Sequence, residues 1–232
     1  MAREEFIDSL RFASRLLPPP TVSSGQGAHT DLQLSSMLHS ADLWLTRKSV
    51  YGFEPVDFAD WPMQDRTELA QEVAAFLEIA DQVPANKPAT KVQSKQARKH
   101  LEKAIKIVRQ HLLPEWLKAQ KEMLDKAKAA AKGKDWFFEE DEKDVRESLL
   151  GEYKAPRLRI RTKNRELVLD PIARFGSGRQ GVVDLVKMPT YERVSLIAFK
   201  DGGWQIISPS GTLRGRPFTQ TALVNTINKL SH

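Results

Sequence analysis

The 232-residue sequence contains no cysteine, which excludes disulfides, thiolate nucleophiles and zinc–thiolate sites. That composition fits a reducing compartment, and a cytoplasmic location is the expectation. No run approaches the roughly 18 apolar residues of a membrane-spanning helix. Arg3, Glu4, Glu5 and Asp8 interrupt the first 17 residues, so no signal peptide and no membrane association are expected. Histidine is scarce: His29, His39, His100, His111 and His232. His100 and His111 sit eleven positions apart on one expected helix, about 16 Å along its axis, too far to share a metal. His39 and Asp42 have the spacing of a surface pair, and no nucleophile-elbow pattern accompanies them. No metal, no cofactor and no catalytic constellation are expected.

Charge is plentiful and unevenly placed. The net charge is +6. Residues 1–86 hold 6 basic and 13 acidic side chains, giving −7; residues 87–134 hold 14 and 4, giving +10. Residues 135–155 hold 3 and 8, giving −5, and residues 156–232 hold 13 and 5, giving +8. Segregated blocks of this kind build a field, whereas solubility alone asks only for mixed charge.

The hydrophobic period divides the chain. Phe6, Leu10, Ala13 and Leu17 mark a short amphipathic helix that Pro18-Pro19-Pro20 stops. A second helix is expected over 31–45, and the aromatics Tyr51, Phe53, Phe58 and Trp61 are expected to pack onto helices from a loop. A third helix begins at a capping box, Asp65 with Glu68, and carries Leu69, Val73, Phe76, Leu77 and Ala80 as its stripe. A fourth begins with Thr90 and Gln93 and buries Ala97, Leu101, Ala104, Ile105, Val108 and Leu112, with Pro114 kinking or restarting it. The acidic stretch from Glu139 to Glu142 has the composition of a solvated linker.

After Pro156 the period falls to two. Strands are expected at 157–161, 166–173, 180–187, 192–199 and 204–208, and Thr219 caps a final helix bearing Leu223, Val224, Ile227 and Leu230. The fold class is therefore α+β. An all-α domain over 1–134 ends in a long basic helix and is followed by an acidic linker over 135–155. A small domain over 156–232 then has an antiparallel sheet of about five strands and a C-terminal helix.

Gly176, Gly178, Gly181 and Val183 match G-x-G-x-x-G-x-V, with Lys200 further on. This stretch of about 25 residues resembles the glycine-rich loop of protein kinases, where the backbone covers ATP phosphates. No H-R-D catalytic loop and no D-F-G metal ligand follow, so the expectation is a glycine-rich turn that binds no nucleotide.

Two basic features are more coherent. Lys95, Lys99, Lys103 and Lys106 share one helical arc flanked by Arg98 and Arg109, and a lysine face can track a phosphate backbone. Arg157, Arg159 and Arg161 alternate along one strand, with Arg165 at its turn. Such like charges suit phosphate contacts or the protection of an edge strand. The leading expectation is a non-enzymatic binding protein that engages nucleic acid through these residues. The alternative is a protein–protein adaptor, a subunit of a larger bacterial-type assembly, that meets a partner with an acidic surface. A nucleotide-binding enzyme using the Gly176–Gly181 loop comes third.

Overall fold

A computed structural model describes residues 7, 10, 60–83, 89–130, 134–147, 149–174, 181–200, 203–207 and 215–229. The expected helix over 31–45, most of the one over 3–17, and residues 175–180 of the glycine-rich loop lie outside the described residues. Ile7 and Leu10 are helical and buried.

The chain divides into two compact units: residues 1–112 with 148–151, and residues 113–147 with 152–232. In the first, helix α1 spans Met63–Asp81 and buries Leu69, Val73, Phe76 and Leu77, the expected stripe. The capping box expected at Asp65 does not form. The helix starts two residues earlier, with the Arg66 amide donating to the Pro62 carbonyl. That leaves Asp65 inside the first turn, where its carboxylate meets His111 instead. Trp61 packs as expected, stacked on the His111 ring at 4.2 Å.

Helix α2 spans Lys91–Ala130. Its capping box is the one expected: the Gln93 amide donates to Thr90 Oγ1 at 3.2 Å, and the Thr90 amide donates to Gln93 Oε1 at 3.0 Å. Pro114 lies inside the helix and neither ends nor restarts it. Proline deprives the Gln110 carbonyl of its intrahelical donor, and the division between the two units falls beside it, between Leu112 and Leu113. All six residues of the expected buried face, from Ala97 to Leu112, are buried.

Among the described residues the second unit holds seven strands in consecutive order: β1 (Phe137–Glu147), β2 (Gly151–Arg161), β3 (Glu166–Ala173), β4 (Gly181–Lys187), β5 (Glu192–Lys200), β6 (Gly203–Ile207) and β7 (Arg216–Pro217). From β2 to β7 each strand runs antiparallel to the next. The count exceeds the expected five for two reasons. The acidic segment expected as a linker is β1 and the start of β2, and Arg216–Pro217 adds a two-residue edge. Pro156 lies within β2 rather than before it. Buried positions there fall at 153, 155, 158 and 160, so the alternation slips by one residue at Pro156-Arg157.

One face of the sheet is apolar. Leu158, Leu169 and Leu185 stand directly opposite one another across β2, β3 and β4, and Ile160 faces Leu167. All five are fully buried or nearly so. Trp204 of β6 donates from Nε1 to the Ala119 carbonyl at 3.2 Å and lies 5.7 Å from the Trp116 ring. Helix α3 (Gln220–Lys229) begins at the expected cap, with the Ala222 amide donating to Thr219 Oγ1 at 3.1 Å, and buries Leu223 and Ile227.

Candidate nucleic-acid interface and the polar face of the sheet

The helical cations separate by environment. Lys95, Lys99 and Lys106 are exposed, and among the described residues they make no ion pair. Lys103, in the same arc, is held by Glu72 at 2.5 Å, with His100 on the other carboxylate oxygen at 2.6 Å. Burial pushes the Glu72 carboxyl up, but Lys103 and His100 outweigh it and hold the group below its ordinary value. Arg98 is half-buried, and its Nε makes no hydrogen bond. Arg109 packs against Gly151, whose φ of +71° is glycine-favouring and whose Cα faces the guanidinium. Of these six cations, Lys95, Lys99 and Lys106 are the three that are exposed and make no ion pair among the described residues. Glu102 is exposed in the same arc and offsets one of them.

The arginine strand is neutralised by its own chain. Arg157 grips Asp141 as a fork, Nε to Oδ1 at 2.7 Å and Nη2 to Oδ2 at 2.6 Å. Arg159 reaches Asp141 at 3.3 Å and Glu166 at 3.2 Å. Arg161 reaches Glu139 at 2.9 Å and Glu166 at 3.4 Å. The Arg157 fork holds the Asp141 carboxyl below the usual carboxylate range, against the opposing effect of burial. Arg165 is half-buried, and its carbonyl accepts from the Thr162 amide at 2.8 Å in the β2–β3 turn. The three arginines thus share a sheet face with carboxylates from both neighbouring strands.

That face continues into a cluster that sequence reasoning missed. Asp170 on β3 and Asp184 on β4 are directly opposite partners, 0% and 4% exposed. Asp170 Oδ2 accepts from Lys143 Nζ at 2.6 Å and from the Tyr191 hydroxyl at 2.5 Å. Asp184 Oδ2 accepts from Arg193 Nε at 2.8 Å. The Oδ1 atom of each makes no hydrogen bond. Burial pushes the Asp184 carboxyl up, with Asp170 adding to the rise and Arg193 opposing it. Burial and the bond to Asp170 push the Tyr191 phenol up to about 12. Tyr191 holds a left-handed φ of 55° in the β4–β5 turn, a conformation rarely adopted by a residue of its size. The available signal was a single aspartate inside each of two apolar strands, Leu-Val-Leu-Asp and Val-Val-Asp-Leu.

A second buried chain of hydrogen bonds lies in the same unit. Trp116 Nε1 donates to the Tyr153 hydroxyl at 3.1 Å, which donates to Glu147 Oε1 at 2.5 Å. The same oxygen accepts from the Arg174 amide at 2.8 Å, and the Arg174 guanidinium lies 6.0 Å from the Trp116 ring. Burial and Glu147 push the Tyr153 phenol far above its ordinary value.

Among the described residues no group of three potential metal ligands occurs, and no helix is long and apolar enough to cross a membrane. Comparison with protein-family models, with curated proteins and with solved structures gives no match.

Proposed function

We propose that the protein is a non-enzymatic binding protein that engages nucleic acid through the lysine face of the N-terminal half of α2. The observation that carries the reading is that Lys95, Lys99 and Lys106 lie exposed and unpaired among the described residues, within one arc about 16 Å long. The opposite side of the same helix is buried. A rigid row of ammonium groups follows a phosphate backbone without reading bases, and its affinity comes largely from released counterions. The arginines of β2 drop out of the site, because their charge is met by Asp141, Glu139 and Glu166.

The test is a titration of labelled duplex and single-stranded oligonucleotides at several salt concentrations. Weak binding is expected, with a salt slope reduced by up to about three units in Lys95→Gln, Lys99→Gln, Lys106→Gln. No binding at ~50 mM salt, where electrostatic association is strong, overturns the reading. Binding unchanged in the triple variant removes the helix from the site.

A further inference from the structure

The start of an α-helix is its positive end. The peptide dipoles add up there, and acidic side chains are the ones that stabilise the first turn. Helix α1 follows that rule with Asp65. Helix α2 does the reverse. Lys91 is its first residue, Lys95 follows about one turn on, and its first turn holds no acidic residue. Like charges at i and i+4 also repel one another along a helix. Both effects oppose folding, and residues that break a local rule are concentrated at functional sites.

Lys91 stands in line with the lysine face. At about 100° per residue, Lys91, Lys95, Lys99 and Lys106 fall at about 0°, 40°, 80° and 60° around the helix axis. They occupy one arc about 22 Å long. Lys91 is exposed and makes no ion pair among the described residues. Lys91, Lys95 and Lys99 follow one another at steps of about 6 Å, a line of ammonium groups that the positive helix end reinforces. Glu102, exposed at about 20°, interrupts the row before Lys106. The attraction for an anion is therefore strongest towards the N-terminal end of α2.

We propose that Lys91 is a fourth phosphate contact of the α2 lysine face and anchors the N-terminal end of the site, where it serves binding and opposes helix stability. The inference rests on the nucleic-acid reading, and it adds the end of the site at which the backbone is held most firmly.

The experiment uses the full chain, a labelled duplex oligonucleotide titrated at several salt concentrations, and thermal unfolding without nucleic acid. Lys91→Gln should reduce the salt slope by about one unit. Lys95→Gln, Lys99→Gln, Lys106→Gln should retain a slope that falls by about one further unit when Lys91→Gln is added. The Tm of Lys91→Gln should meanwhile rise by about 1–3 °C, because the repulsion at the helix end is relieved. Weaker binding together with higher stability is a pair of changes that loss of a structural residue does not produce. A slope that Lys91→Gln leaves unchanged overturns this inference and leaves the other three lysines as the site. A Tm that fails to rise overturns it too, since Lys91 would then not oppose the helix. No binding by the parent protein overturns the nucleic-acid reading and this inference with it.

Discussion

Asp170 and Asp184 face each other across β3 and β4, and only one of them is well supported. Asp170 has Lys143 and Tyr191 on one oxygen and Arg157 Nη1 3.9 Å from the other. Asp184 has Arg193, whose side chain is 57% exposed. Two adjacent buried carboxylates resist ionising together, and the weaker-held one carries the upward shift.

The pair therefore responds unequally to substitution. Asp170→Asn removes the buried charge that Lys143 and Tyr191 both bond, and should cost about 2–3 kcal/mol. Asp184→Asn relieves the repulsion and loses one exposed ion pair, so it should change stability by about 1 kcal/mol or less at neutral pH. Because the folded protein holds the Asp184 proton more tightly than the unfolded chain, its contribution is favourable at low pH. It is lost as pH rises through the folded value. Stability measured by denaturant unfolding from about pH 4 to 7 should thus fall less steeply in Asp184→Asn than in the parent. Equal costs for the two variants would refute this division of roles.

Tyr191 gives a second readout. Its phenol should ionise near pH 12, above an ordinary tyrosine, and the step should be missing from an absorbance titration of Tyr191→Phe. That variant should lose about 1–2 kcal/mol, the worth of a hydrogen bond to a charged buried group. A phenol that titrates near 10 would mean the bond to Asp170 does not hold in solution.

Arg157→Gln breaks the fork on Asp141 and should destabilise the fold by about 1–3 kcal/mol near neutral pH. Asp141 has a lowered value in the folded state, so its stabilisation is present above the ordinary carboxylate range and disappears as pH falls through the folded value. The cost of the substitution should shrink in parallel. A penalty that stays constant down to pH 2 would point to lost packing rather than lost charge pairing.

Limited trypsin digestion provides a fourth check. Lys143, Arg146 and Lys154 lie within paired strands, and a protease needs an extended, released backbone. These sites should survive conditions that cut exposed loops. Early cleavage between Lys143 and Lys154, read by mass spectrometry, would restore the linker.

Local chemistry was readable wherever a short-range rule decided the outcome. The Thr90–Gln93 capping box, the Thr219 cap and the buried stripe from Ala97 to Leu112 formed where expected, and each of the five expected strand segments lies in a strand, the first of which begins earlier, at Gly151. These depend on residues within a turn or two of each other. The failures share a cause as well. Asp65 satisfies a local capping rule, yet His111, 46 positions away, claims its carboxylate. Glu139 to Glu142 has the composition of a solvated linker, because strand propensity is low for acidic residues.

The sequence by itself determined that the chain is α and β by turns, that its charge is segregated, and that a lysine-rich arc lies opposite an apolar one. Only the tertiary structure decided which charges are free. The acidic block of 139–142 and the arginine block of 157–161 look like two independent surfaces in the linear chain, but strand pairing sets them side by side, and most of each is spent on the other. Lysines on a helix whose neighbours along the surface are each other keep their charge for a partner. Arginines on a strand meet whatever the next strand brings, and that is a property of sheet order rather than of the residues themselves.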